Sequence, residues 1–130
     1  MSDLLQSMTA ASSGMNAQST RLRIVSENIA NADTPGFRRK TISFTDLVNQ
    51  PGDARAVAAG RVNLDRSPLE RIYDPAHPLA DAEGYYEGGN VKVMVEIADA
   101  REAQRSYEAN LRMFDQSRRM LSSLFDLLNR

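Results

Sequence analysis

Cysteine is absent from the chain, which removes disulfides, thiol catalysis and thiolate metal sites together and leaves the redox compartment open. Histidine occurs once, as His77 in a proline-bounded turn, so a histidine-rich metal site is excluded. Net charge is nearly absent as well. At −1 it gives no bulk electrostatic reason to expect nucleic acid, where a basic face is needed. No uninterrupted apolar run approaches the roughly 20 residues that span a bilayer. The opening Met1-Ser-Asp-Leu-Leu-Gln lacks the basic region and apolar run of a secretory signal, so signal cleavage is not expected.

The scarcity of proline and glycine is local rather than global. Residues 2–33 hold no proline and one glycine, residues 34–90 hold all five prolines and six of the seven glycines, and residues 91–130 hold neither. Because these two residues punctuate regular structure, the distribution predicts a helix over 1–33, a turn-rich middle with short strands over 34–90, and a helix over 91–130. The fold class expected is mainly α, with the N- and C-terminal helices packed as a coiled coil and a small irregular or β middle segment. With 42% hydrophobic and 25% charged residues, the 130-residue chain has the composition of an ordinary soluble protein.

What the two ends do contain is periodicity. In the first, Met1, Met8, Met15, Leu22 and Ile29 form one heptad row, and Leu4, Ala11, Gln18, Val25 and Ala32 the other. Nine of these ten are apolar, so the stripe needs a partner surface. Asp3 and Gln6 resemble a capping box, Ser12-Ser13-Gly14 reads as a weak point, and Pro35 should stop the helix near Asp33. In the last segment Val93, Ile97, Ala100, Gln104, Tyr107, Leu111, Phe114, Arg118, Leu121, Phe125 and Leu128 recur at spacings of three and four. Gln104 and Arg118 interrupt that stripe, as register-setting polar residues do. Glu108 with Arg112 and Asp115 with Arg119 are expected to pair on other faces. A helix over 92–129 would be about 57 Å long, more suited to a helical assembly than to a compact domain. The residues expected to form an assembly interface are Met8, Leu22, Val25, Ile29, Ile97, Tyr107, Leu111, Phe114, Leu121 and Phe125. In the middle, 39–44 and 69–73 are the best strand candidates, whereas 73–78 and 83–90 read as turns.

Nothing in this inventory does chemistry, and no catalytic residue, metal or cofactor is expected. His77 reads as a loop side chain that caps or stacks locally. The carboxylate pairs Asp81/Glu83 and Glu96/Asp99 read as solvated, the run Arg38-Arg39-Lys40 as a solvated strand edge, and the glycines at 84, 88 and 89 lack the lysine of a phosphate loop.

One segment is more specific. In Ser26-Glu-Asn-Ile-Ala-Asn-Ala-Asp-Thr-Pro-Gly-Phe37 a helix end carries two asparagines able to bond nearby backbone, a Thr-Pro-Gly turn redirects the chain, and Phe37 can pack beneath it. The segment resembles the N-terminal signature of the flagellar rod, hook and hook-associated axial proteins, matched here by Asn28, Asn31, Thr34, Gly36 and Phe37. Three further stretches, 14–22, 73–85 and 102–110, resemble the proximal rod proteins of the FlgC family; the 73–78 segment argues against the other short proximal rod family, FlgB. The resemblance implies a structural subunit exported through the flagellar type III apparatus and assembled into the rod within the periplasm. It also implies that the subunit transmits torque from motor to hook, with copies of itself, other rod proteins and possible ring and export-gate components as neighbours. A soluble helical-hairpin adaptor that dimerises through the same stripes is the alternative, and open polymerisation rather than a closed dimer separates the two.

Overall fold

A computed structural model describes residues 2–47 and 56–130. Helix α1 spans Ser2–Ala30 and helix α2 spans Val93–Leu128. Between them lie strands β1 (Lys40–Leu47), β2 (Ala56–Leu64), β3 (Arg71–Tyr73) and β4 (Tyr85–Glu87). Strands β1 and β2 form one antiparallel hairpin and β3 and β4 a second, smaller one. The architecture is the expected helix, strand-bearing middle and helix.

The two helices run antiparallel against each other. Gly14 abuts Asn110 and Asn28 reaches Glu96, so fourteen residues in one direction on α1 match fourteen in the opposite direction on α2. The contact is built from small side chains. Ala11 and Ala17 on α1 and Ala103 on α2 are buried, and a Cβ added to Gly14 would lie 2.7 Å from the Asn110 amide. Close backbone approach explains why Ser12-Ser13-Gly14 is not a break: α1 runs through it without interruption. Ser13 also receives the backbone N–H of Val57 at 3.0 Å, tying the first hairpin to the helix.

Several expectations shift by small amounts. Helix α1 ends at Ala30 rather than near Asp33, and the chain tightens there through Ala32 N–H to the Ile29 carbonyl at 3.2 Å. Helix α1 begins at Ser2, and Asp3 sits inside its first turn, where its charge favours the helix dipole. The candidate strand 39–44 becomes β1, extended to Leu47, and 69–73 shortens to β3. Strands β2 and β4 were not anticipated; β2 is alanine-rich, and β4 lies where turns were expected. Met1 of the first heptad row and residues 48–55 of the turn-rich middle lie outside the described residues.

The inner face of α2 differs from its apolar stripe by one position around the helix. Glu96, Ala103 and Ser117, with Asn110 part-buried between them, take the places next to α1 that Ile97, Gln104, Arg118 and Leu111 would have filled. On α1 the row through Ala11 and Val25 faces inward as the heptad reading requires, and Gln18 lies on it. Its companion row does not: Met8, Met15 and Leu22 are half-buried and Ile29 is exposed, while Ala17, Ile24 and Asn28 are buried instead. Gln18 Oε1 is buried without a hydrogen-bond partner among the described residues. Replacing Gln18 by leucine should therefore raise the urea midpoint of the chain, by about 1 kcal/mol in stability, because an unsatisfied carbonyl costs about that much.

Candidate assembly interface

The signature segment is where the sequence places its strongest signal, and each of its residues has a physical task. Asn28, 1% exposed, accepts the Lys40 N–H at 2.9 Å and donates to the Lys40 carbonyl at 2.8 Å, replacing the ladder partner that the first residue of β1 lacks on that side. Both bonds together fix the orientation of its amide. Asn31 donates to the Glu27 carbonyl at 2.9 Å, at the frayed end of α1, and accepts the Thr34 hydroxyl at 3.3 Å. Gly36 has φ of 73°, a left-handed conformation natural to glycine, with no atom near its missing Cβ; backbone conformation alone therefore demands it. Its N–H meets the Glu87 and Gly88 carbonyls at 3.2 and 3.1 Å. Phe37 is half-buried, and its N–H closes the turn on Thr34 at 3.2 Å.

A further asparagine, at the end of the 83–90 stretch, completes the clamp. Asn90 accepts the Arg39 N–H at 2.6 Å and donates to the Asp65 carbonyl at 3.0 Å, so consecutive residues of the redirected chain are held by asparagines from opposite ends of the protein. Gly89 sits beside the same strand, where a Cβ would come within 3.1 Å of the Phe37 carbonyl oxygen.

Beneath the clamp lies an ionic cluster that overturns two expectations. Glu96 is not solvated: it is 0% exposed, receives the Asn28 amide at 3.2 Å, and is bonded by the Arg39 guanidinium. Nor are the residues of 38–40 a free strand edge. Arg39 also reaches Asp99 at 2.9 Å, Arg38 donates to the Ser67 carbonyl at 3.1 Å, and Lys40 pairs with Glu27 at 3.0 Å. Arg21 of α1 closes the cluster on Asp99 at 3.1 Å. Burial works against the Arg39 charge, yet the Glu96 hydrogen bond and the fields of Glu96 and Asp99 outweigh it and hold the group above its ordinary pKa. The Lys40 hydrogen bond holds the Glu27 carboxyl below the usual carboxylate range. These charges satisfy one another, and no group of His, Asp or Glu among the described residues is arranged to hold a metal ion.

The residues expected to mediate assembly fall into two groups. Val25 is buried inside the subunit, while Met8, Leu22, Ile97, Phe114 and Leu121 are half-buried. Ile29 of α1 and Tyr107, Leu111 and Phe125 of α2 are exposed, joined on α2 by Val93, Met113, Met120, Leu124 and Leu128. So many large apolar side chains facing outward from α2 exceed the scattered exposure of an ordinary surface. The helical pairs expected at Glu108/Arg112 and Asp115/Arg119 do not form; Asp115 lies instead 3.9 Å from Arg118.

In the second hairpin His77 acts locally, as its sequence context indicated. It stacks on Tyr86 with centroids 3.9 Å apart, and its Nδ1 accepts the Leu79 N–H at 3.1 Å.

The fold is thus a helical hairpin closed by an asparagine-clamped turn, with many of the large apolar side chains of α2 outside. Residues 8–38 match the family described as "Flagella basal body rod protein", and residues 82–127 match "Flagellar basal body rod FlgEFG protein C-terminal". The first match spans the signature and the second spans the outward-facing helix. Across nearly its whole length the chain is 44% identical to the flagellar basal-body rod protein FlgC of Agrobacterium fabrum, covering 98% of this chain and 97% of that one. The FlgC proteins of Borreliella burgdorferi and Salmonella typhimurium are each 34% identical, covering 96% and 91% of this chain and 97% and 92% of their own. The chain belongs to the FlgC family of flagellar basal-body rod proteins, and its function is that of a structural rod subunit.

Proposed function

We propose that the subunit enters the rod through the exposed apolar face of α2, supported by the half-buried Met8 and Leu22 of α1, meeting copies of itself and other rod proteins there. The observation that carries this reading is the division of labour on α2. Small and polar residues pack against α1, and Tyr107, Leu111 and Phe125 are left outside. A helix that stabilised only its own hairpin would turn its largest apolar side chains inward. The role is mechanical, without catalysis: paired helices transmit torque from motor to hook along their length. The subunit passes the type III export apparatus unfolded and completes its packing beside its neighbours in the periplasmic rod. So small an internal core, with the larger apolar area reserved for partners, suits that route.

A charge placed on the exposed face tests the reading. Leu111→Asp would bury an unpaired carboxylate in the interface. In a strain lacking the native gene it should abolish motility, with basal bodies that stop before the hook, while the isolated chain keeps its helix content because Leu111 is 41% exposed in the free subunit. Normal swimming by that strain would refute the placement. Ile29→Asp should behave alike.

A further inference from the structure

The side of α2 farthest from α1 carries a different surface, which lies beyond the apolar face. Arg101, Arg105, Arg112 and Arg119 fall at spacings of four, seven and seven and so share one side of the helix over about 27 Å. All four are exposed, and none makes an ion pair among the described residues. Glu108 and Asp115 flank the row on the side of Leu111, and Asp115 is already turned to Arg118. At the start of the row Met94, 78% exposed, lies with Ile97, Ala98, Arg101, Glu102 and Arg105 around a shallow open groove of about 500 Å³, and Glu102 is turned to Arg21 of α1 at 3.5 Å.

The second hairpin is its opposite in charge. Residues 70–87 carry five carboxylates against the single arginine Arg71, a net −4 with His77 neutral. This knob is held rigid by its own contacts. Asp81 accepts the backbone N–H groups of Glu83 and Tyr85 at 2.9 and 3.0 Å, Tyr73 and Tyr85 pack with centroids 5.1 Å apart, and Gly84 has φ of 88°. Its tip presents Tyr73 and Leu79, both 64% exposed, beside the exposed Asp74. An aromatic flanked by carboxylates fits a groove that offers Met94, Ile97 and Ala98 beside the guanidiniums of Arg101 and Arg105, through apolar contact, ion pairing and cation–π attraction.

We propose that the acidic 70–87 knob of one copy docks on the Met94–Arg119 face of a second copy. Knob and face are different surfaces, so the contact is heterologous and propagates along an assembly instead of closing a dimer. It is separate from the Leu111 face and is distinguished from it by its response to salt, since screening weakens exposed ion pairs but not apolar contacts.

Sedimentation velocity of the purified full chain provides the test, at low ionic strength and in about 0.5 M sodium chloride, where the Debye length shortens to a few ångströms. The parent should self-associate at low salt, and the high-salt sample should be at least about tenfold weaker. Arg101→Glu/Arg105→Glu/Arg112→Glu and Glu70→Lys/Glu83→Lys/Glu87→Lys should each lose this association with unchanged circular dichroism, because the altered side chains are exposed. An equimolar mixture of the two variants should associate again, since the acidic row of the first meets the basic knob of the second. Four results would overturn the contact: a parent that stays monomeric at low salt, association indifferent to salt, association that survives either reversal, or a mixture that fails to restore it. Association that persists in both variants and in salt but is lost in Leu111→Asp would credit the apolar face instead, and would overturn only this second contact. A parent that binds anionic vesicles but not itself would likewise reject the second copy as occupant.

Discussion

Replacing Arg39 by methionine is expected to lower the stability of the chain by about 4 kcal/mol, the cost of leaving a buried charge without its partner. Glu96 is fully buried, and Arg39 is the cation bonded to it; the remaining partner is the neutral amide of Asn28. Methionine keeps the apolar stem of the side chain, so the loss reports chiefly the missing guanidinium. Asp99 would lose one of its two cations and keep Arg21 at 3.1 Å. Urea denaturation followed by circular dichroism gives the number. The companion variant Arg39→Met/Glu96→Leu removes both charges and should recover much of the loss, because a buried pair replaced as a unit by apolar groups is often nearly neutral. An Arg39→Met chain as stable as the parent, or a double variant no better than the single, would show that the cluster does not bind the ends of the protein together.

Asn28→Asp is nearly isosteric and should cost about 3 kcal/mol, more than truncation to alanine. The amide donates to the Lys40 carbonyl at 2.8 Å and to Glu96 at 3.2 Å. A carboxylate cannot donate either bond, and it brings a second negative charge against Glu96 in a buried site. Alanine only leaves the groups unsatisfied. The order parent, Asn28→Ala, Asn28→Asp should appear in the helix content of the isolated chain and in the swarm diameter of complemented cells. Equal behaviour of the aspartate variant and the parent would mean that Asn28 serves the turn through its size alone.

Both predictions rest on residues that a sequence reading ranks unequally. Asn28 stood out because it lies in a run whose spacing, from a helix end through Thr-Pro-Gly to Phe37, has a local explanation at every position. Glu96 and Arg39 did not stand out. They are separated by 57 residues, and a glutamate at the start of an amphipathic helix looks the same whether water or a guanidinium meets it. The clamping role of Asn90 was not legible either, since its partners are backbone groups that the chain brings beside it only on folding.

The helices show the same boundary more finely. Their existence and approximate limits followed from where proline and glycine are missing, because those constraints act within a few residues. Their orientation about their own axes did not follow. Periodicity finds the stripe richest in large apolar residues, and in a solitary hairpin that stripe would face the partner helix. Here Gly14, Ala17 and Ala103 let the backbones approach, so the inner face goes to small and polar residues and the stripe is displaced by one position toward the outside.

By itself, then, the sequence determined two amphipathic helices, an asparagine-and-glycine turn after the first of them, and membership of an axial family, because each is written in local spacing. Only the tertiary structure decided that Glu96 is buried and paired, that Asn90 completes the clamp, and that Tyr107, Leu111 and Phe125 look outward. Each of those depends on which distant segment occupies the space beside a residue, and no local pattern encodes that.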